Sequence, residues 1–188
     1  MAASKYPRQD SQKGKVYAAE RRAFAAIGGK ATEPLTEKEV REFAEKARLW
    51  MDKKHGLYAP PIDFQFPNHG RGGAWASRGW RSTLMFTPSA KKRWIVLHEV
   101  AHLYATHLHP EFDGDYRAHG WVFCDLYLML VQHYLGVEAA KRLRAEFRAE
   151  GARYRPKRTR VLTPEQKAEL AERLAKARAA KAAAAVAA

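Results

Sequence analysis

The chain has 188 residues, 46% of them hydrophobic, and a formal charge of +14. That length suits one domain with a real core and leaves room for a tail. The single cysteine, Cys124, excludes an internal disulfide framework and a multi-cysteine metal site within one chain, so any metal here must rely on His and carboxylates.

The N-terminal stretch MAASKYPRQDSQKGK lacks the apolar core of a signal peptide. The longest apolar run, Trp121 to Val131, is interrupted by Asp125 and is too short to span a bilayer. With one cysteine and no targeting signal, a cytoplasmic protein is expected. The charge is uneven. Residues 151–188 hold 10 Lys and Arg against 3 Glu, a net +7 and half of the total. A basic tail on a moderately basic body would suit nucleic acid or another polyanion, or would be a solvated, partly helical extension.

Val16, Ala19, Ala23, Phe24 and Ile27 recur at helical spacing and predict a first helix over 11–27, stopped by Gly28-Gly29. Thr36 and Glu39 form a capping box for a second helix, whose stripe is Val40, Phe43, Ala44, Ala47, Trp50 and Met51. Pro60-Pro61 breaks the helical pattern. Ile62, Phe64 and Phe66 then alternate with polar residues as a strand does. Residues 68–73 read as a loop, and Ala74-Trp75-Ala76 and Trp80 to Thr87 as two more short strands. A small antiparallel sheet is expected.

A third helix follows, with Ser89 as its expected N-cap. Trp94, Ile95, Val96, Leu97, Val100, Ala101 and Leu103 make it apolar on nearly every side, the mark of a buried helix. Within it lies His98-Glu99-Val100-Ala101-His102, an H-E-x-x-H sequence. On a helix the two histidines sit one turn apart on one face and can grip one Zn²⁺. Glu99 stands beside them to take a proton from a metal-bound water. Unpaired, these three polar groups would each cost on the order of a few kcal/mol to bury, and a shared metal and its water would satisfy them.

A catalytic zinc takes three protein ligands and an open position. The metzincin continuation would need Gly at 105 and His at 108, where this chain has Ala105 and Leu108. His107 and His109 are off that spacing by one residue each. Glu111, Asp113 and Asp115 lie on the following polar connector. His119 is the preferred third ligand. It opens a second apolar helix (Trp121, Val122, Phe123, Leu126, Leu128, Leu130, Val131), and a helix start disfavours imidazolium, keeping the ring in its ligand form. Gly136 ends that helix, and another runs from about Val137 to Glu150. Beyond it, residues 152–188 read as a basic Ala/Lys/Arg-rich tail, helical or disordered, with residues 1–151 as the folded domain.

His98 to His102 followed by His119-Gly120-Trp121-Val122-Phe123 resembles the HExxH…HGxxF pattern of SprT-like minigluzincins. VYAAERRAF at 16–24, WIVLHEVAH at 94–102 and AHGWVF at 118–123 are similar to a narrower group, metallohydrolases of actinobacteria and their phages. The resemblance covers roughly residues 10–153. It departs at Trp121-Val122, where relatives often have Pro-Glu, a difference in the pocket wall rather than in the ligands. It implies an α+β, zincin-like fold and a zinc metallopeptidase acting on protein or peptide. His98, His102 and His119 would hold Zn²⁺ and Glu99 would be the general base. Tyr116 or Arg117 are candidate oxyanion donors, and Asp113, Asp115 or Asp125 candidate carboxylates for orienting a ligand ring. Two other readings compete: a DNA-associated protease of the same kind using the basic tail, and a non-catalytic basic protein with structural zinc.

Overall fold

The computed structural model describes residues 12–59, 61–68, 74–77, 82–108 and 119–154, with Glu172, Arg173 and Lys176 from the tail; of the side chains at 75, 77 and 106–108 nothing is described. The chain divides into two units, Met1–Pro156 and Lys157–Ala188. Most of the tail reading lies outside the described residues. Within that unit Lys176 and Glu172 pair one helical turn apart, at 2.7 Å.

The first unit is α+β and mostly helical. Helix α1 (Lys13–Ile27) buries Val16, Ala19, Glu20, Ala23 and Phe24. Those positions are spaced three, one, three and one apart, so they form a single stripe facing the core. Gly28 ends the helix with φ of 60°, a conformation that favours glycine. Helix α2 (Glu37–His55) starts at the expected capping box, with both Thr36 and Glu39 bonds present. It ends at Gly56, which is left-handed with φ of 63°.

The sheet has the three expected strands, β1 (Ile62–Gln65), β2 (Ala74–Ser77) and β3 (Ser82–Phe86). Its order is β1-β3-β2, and it is mixed. β2 and β3 pair antiparallel, Trp75 opposite Met85, whereas β1 pairs parallel to β3, Phe64 opposite Leu84. The expectation of a purely antiparallel sheet is corrected for β1. Alternation along a strand fixes which face is buried, not which neighbour it takes or in which direction. Here β3 inserts between the two strands that precede it.

A 3₁₀ turn, Pro88–Ala90, follows β3. Helix α3 (Arg93–Leu108) begins only after it. Ser89 is therefore not the cap of α3; it is an exposed residue inside the turn. The turn closes with Ala90 N–H on the Thr87 carbonyl, and then Lys92 bridges to Pro34 before the first helical bond, Val96 to Lys92. That bridge needs extended backbone, which interrupts the helix the Pro-Ser pair would otherwise start. Residues 96–101 of α3 are all buried, as an apolar-all-round helix requires.

Helix α4 (Trp121–Leu135) packs on α3 and on α5 (Val137–Ala149), and α5 in turn packs on α1. Gly136, at φ of 96°, makes the turn between α4 and α5. A buried polar network ties α2 to α3. The Tyr104 hydroxyl lies 2.5 Å from Asp52 Oδ1 and 2.8 Å from the Arg48 carbonyl, and Arg48 donates to Asp52 and to the Ala59 carbonyl. Residues 152–154 close on this unit, with Ala152 buried and Tyr154 stacked on Phe147. Among the described residues, no helix is long and apolar enough to cross a membrane.

Candidate metal centre

Helix α3 carries His98 and His102 on one face, and their Nε2 atoms lie 3.1 Å apart. His119 sits just before Gly120, the N-cap of α4, and its Nε2 lies 3.2 Å from that of His98. The three form a cluster whose ligand atoms all lie within 4.8 Å of one another. His98 and His119 are each 3% exposed, and His102 is half-buried.

Three imidazole nitrogens converging on one point have lone pairs that repel unless something positive lies between them. One ring proton can bridge one pair of nitrogens at a time, whereas one cation satisfies all three. For tetrahedral coordination at roughly 2.0–2.1 Å, ligand nitrogens stand about 3.3–3.4 Å apart. The two separations from His98 are close to that spacing. The third pair lies within 4.8 Å, and the three side chains could hold a metal ion.

Each ring is held from behind. Phe123, one turn after His119, stacks on His102 at 4.3 Å between centroids and meets His98 at 4.8 Å and His119 at 4.9 Å. The phenylalanine of HGxxF thus forms the floor under all three imidazoles. Tyr17 of α1 packs edge-on to His119 at 5.1 Å. The His119 carbonyl accepts from Gln12 Nε2 at 3.1 Å and from the Cys124 thiol at 3.7 Å, which fixes the backbone that presents the ring.

Glu20 is the residue that motif reading missed. Its Oε1 lies 2.5 Å from His98 Nδ1, and the carboxyl is 2% exposed. Burial pushes it up to about 8, against the opposing pull of His119, the Tyr127 hydroxyl and Arg21. Glu99, 5% exposed on α3, is also pushed up to about 8, by burial first and by the charge of Glu20 second. His98 is held well below its ordinary value, again by burial first and then by His119, so the ring is neutral and able to act as a ligand. A signal for Glu20 was present. It stands one residue after Ala19 and three before Ala23, an acid in the middle of an apolar stripe.

The structure brings His98, His102 and His119 together, and Glu99, next to His98 on α3, is buried within electrostatic reach of Glu20. Asp125, a candidate for orienting a ligand ring, is exposed on α4. The side chain of His107 and all of His109, Glu111, Asp113, Asp115, Tyr116 and Arg117 lie outside the described residues. Comparison with family models, with curated proteins and with solved structures gives no match.

Proposed function

We propose that this protein is a zinc-dependent hydrolase, a metallopeptidase of the zincin-like, SprT-like kind, with His98, His102 and His119 as ligands and Glu99 as general base. The observation that carries the reading is the convergence of three Nε2 atoms, 3.1 and 3.2 Å from His98 to its two neighbours. Three histidines, with no fourth protein ligand in the cluster among the described residues, are the pattern of a catalytic rather than a closed structural zinc site. Zinc bound there would supply Lewis acidity and a water acidified toward neutrality.

The chain's own residues do the rest. Glu99 is buried next to His98, where a bound cation would favour its ionised, proton-accepting form. It takes the proton of the attacking water and delivers it to the leaving amine. Phe123 and Tyr17 pack the ligand rings in place and keep bulk water from their inner faces. A general base next to the first ligand also argues against a purely structural ion, which has no use for one. Metal analysis should find about one zinc per chain, lost in His119→Ala. Glu99→Gln should hold zinc yet fail to cleave a mixed peptide library; undiminished cleavage would sink the mechanism.

The +7 of residues 151–188 supports a second reading, a protease that works on DNA-bound protein. Duplex binding that weakens steeply with salt and disappears on removal of residues 152–188 would support it. Weak, tail-independent binding would remove it.

A further inference from the structure

We propose that Glu20 is a positioning residue of the metal centre. Its carboxylate accepts the Nδ1–H of His98, which fixes the tautomer that leaves Nε2 free for the metal and makes α1 part of the site. This rests on the metal-binding reading above.

An imidazole has two nitrogens, and both of those on His98 are engaged. Nδ1 lies 2.5 Å from Glu20 Oε1, while Nε2 faces His102 and His119. With a metal on Nε2 only one tautomer suits both ends: the proton sits on Nδ1 and is donated to an ionised Glu20, and the lone pair on Nε2 points at the cluster. Without the carboxylate, nothing in this contact would favour that tautomer. A ligand histidine whose second nitrogen donates to a carboxylate is a more basic ligand and a better oriented one. The charge matters as well. A dication among three neutral imidazoles in a buried pocket would need negative charge nearby, and an ionised Glu20 would bring one to the far side of the His98 ring.

Glu20 is itself placed rather than merely near. It lies on the buried stripe of α1, fixed by Val16, Ala19, Ala23 and Phe24, and the Tyr127 hydroxyl of α4 hydrogen-bonds it. Tyr127 is fully buried and also reaches the Trp94 carbonyl at 3.2 Å. The arrangement therefore runs from α4 through α1 to the ligand on α3. An apolar side chain at position 20 would complete the α1 stripe at lower cost. A buried acid aimed at a ring nitrogen is the costlier choice, and the contact with His98 accounts for it.

The test titrates Zn²⁺ into the metal-free full chain against a chromophoric chelator, with circular dichroism to check folding. Glu20→Gln keeps an acceptor but loses the charge, so its affinity should fall roughly tenfold; Glu20→Leu loses both and should fall roughly a hundredfold. Tyr127→Phe should give a smaller loss, about twofold to fivefold, because Glu20 keeps its other contacts. In the zinc-loaded wild type, ¹⁵N NMR should show His98 protonated at Nδ1 and metal-bound at Nε2, a readout that stands even where a variant does not fold. Folded Glu20→Gln and Glu20→Leu proteins within twofold of wild-type affinity would overturn the proposal, as would metal on Nδ1. His98→Ala separates the two claims. If it also binds zinc normally, the metal reading itself fails; if it loses zinc while the Glu20 variants keep it, only the role of Glu20 fails.

Discussion

Helices α1 and α3 each bury one glutamate, and the two carboxyls share an electrostatic environment. Glu20 is 2% exposed and Glu99 5%; both are pushed up to about 8, chiefly by burial, and the charge of Glu20 raises Glu99 further. Their surroundings in sequence differ. α3 is apolar on every side, so its His and Glu stand out against it. α1 has an exposed face with Glu-Arg-Arg running across it, and one of those charges turns inward. Similar burial of similar groups is thus obvious on one helix and camouflaged on the other, because contrast with neighbouring residues, not chemistry, makes a site residue visible.

The largest effect that would break this pairing separates binding from turnover. Glu99→Gln should leave the zinc dissociation constant within a few-fold of wild type while cutting peptide hydrolysis by about 10²–10⁴. Glu20→Gln should do the reverse, weakening zinc while recovering most activity once zinc is saturating. Chelator competition and cleavage rates at several zinc concentrations measure both. If both variants lose turnover at saturating zinc to the same extent, the two glutamates do not divide the work as assigned.

A second effect, of order a few kcal/mol, should appear in the metal-free protein as a pH slope. Both carboxyls have folded values near 8 against an ordinary 4.5, so the folded chain holds their protons longer. Their contribution is full below about 4.5 and is lost as pH rises through about 8. His98 acts oppositely. It is held well below 6.5, so its contribution is lost as pH falls below 6.5. Between pH 6.5 and 8 only the carboxyls act, and urea unfolding should show stability falling with pH across that window. Glu20→Gln and Glu99→Gln should each flatten the slope, and saturating zinc should flatten it too, because a cation favours the ionised carboxyls. A slope unchanged in both variants would mean that neither glutamate holds a proton in the folded chain.

Much of this arrangement was legible beforehand, and what was missed has a common cause. The bounds of α1 and α2, the Thr36 cap and the clustering of three histidines followed from local signals: periodicity of 3.6, a capping box, an i, i+4 histidine pair and a third histidine at a helix start. What failed needed knowledge of neighbours. The parallel pairing of β1 with β3 depends on which strand inserts between others. The late start of α3 depends on a bridge from Lys92 to Pro34, distant in sequence. The Glu20 contact spans 78 positions. Periodicity marks position 20 as buried and says nothing of which ring it meets.

A third prediction asks whether burial alone is enough to make a group matter to the site. Tyr104 is fully buried on the same helix as the ligands, but its hydroxyl bonds Asp52 and the Arg48 carbonyl on α2. Tyr104→Phe should cost about 2 kcal/mol of stability, the size of a hydrogen bond to a charged partner. Zinc affinity should not move. A loss of zinc matching that of Glu20→Gln would mean that general loosening of α3, rather than a specific contact, sets ligand geometry.

The smallest effect compares how two helices begin. α2 starts on a local capping box, and Thr36→Ala should cost about 1 kcal/mol by removing it. α1 has Gln12 at its N-cap, and that side chain makes no capping bond. It donates instead to the His119 carbonyl at 3.1 Å and accepts from the Arg153 N–H. The start of α1 is therefore held by the backbone of His119 rather than by a side-chain cap of its own. Gln12→Ala should also cost about 1 kcal/mol in urea unfolding, a typical net hydrogen bond. Yet it alone of the two should weaken zinc, by less than about tenfold, since the carbonyl it releases belongs to the residue whose ring must reach His98. Equal zinc affinity in both variants would mean that the Gln12 bond does not place the His119 ring, and would leave Tyr17 and Glu20 as the links of α1 to the centre.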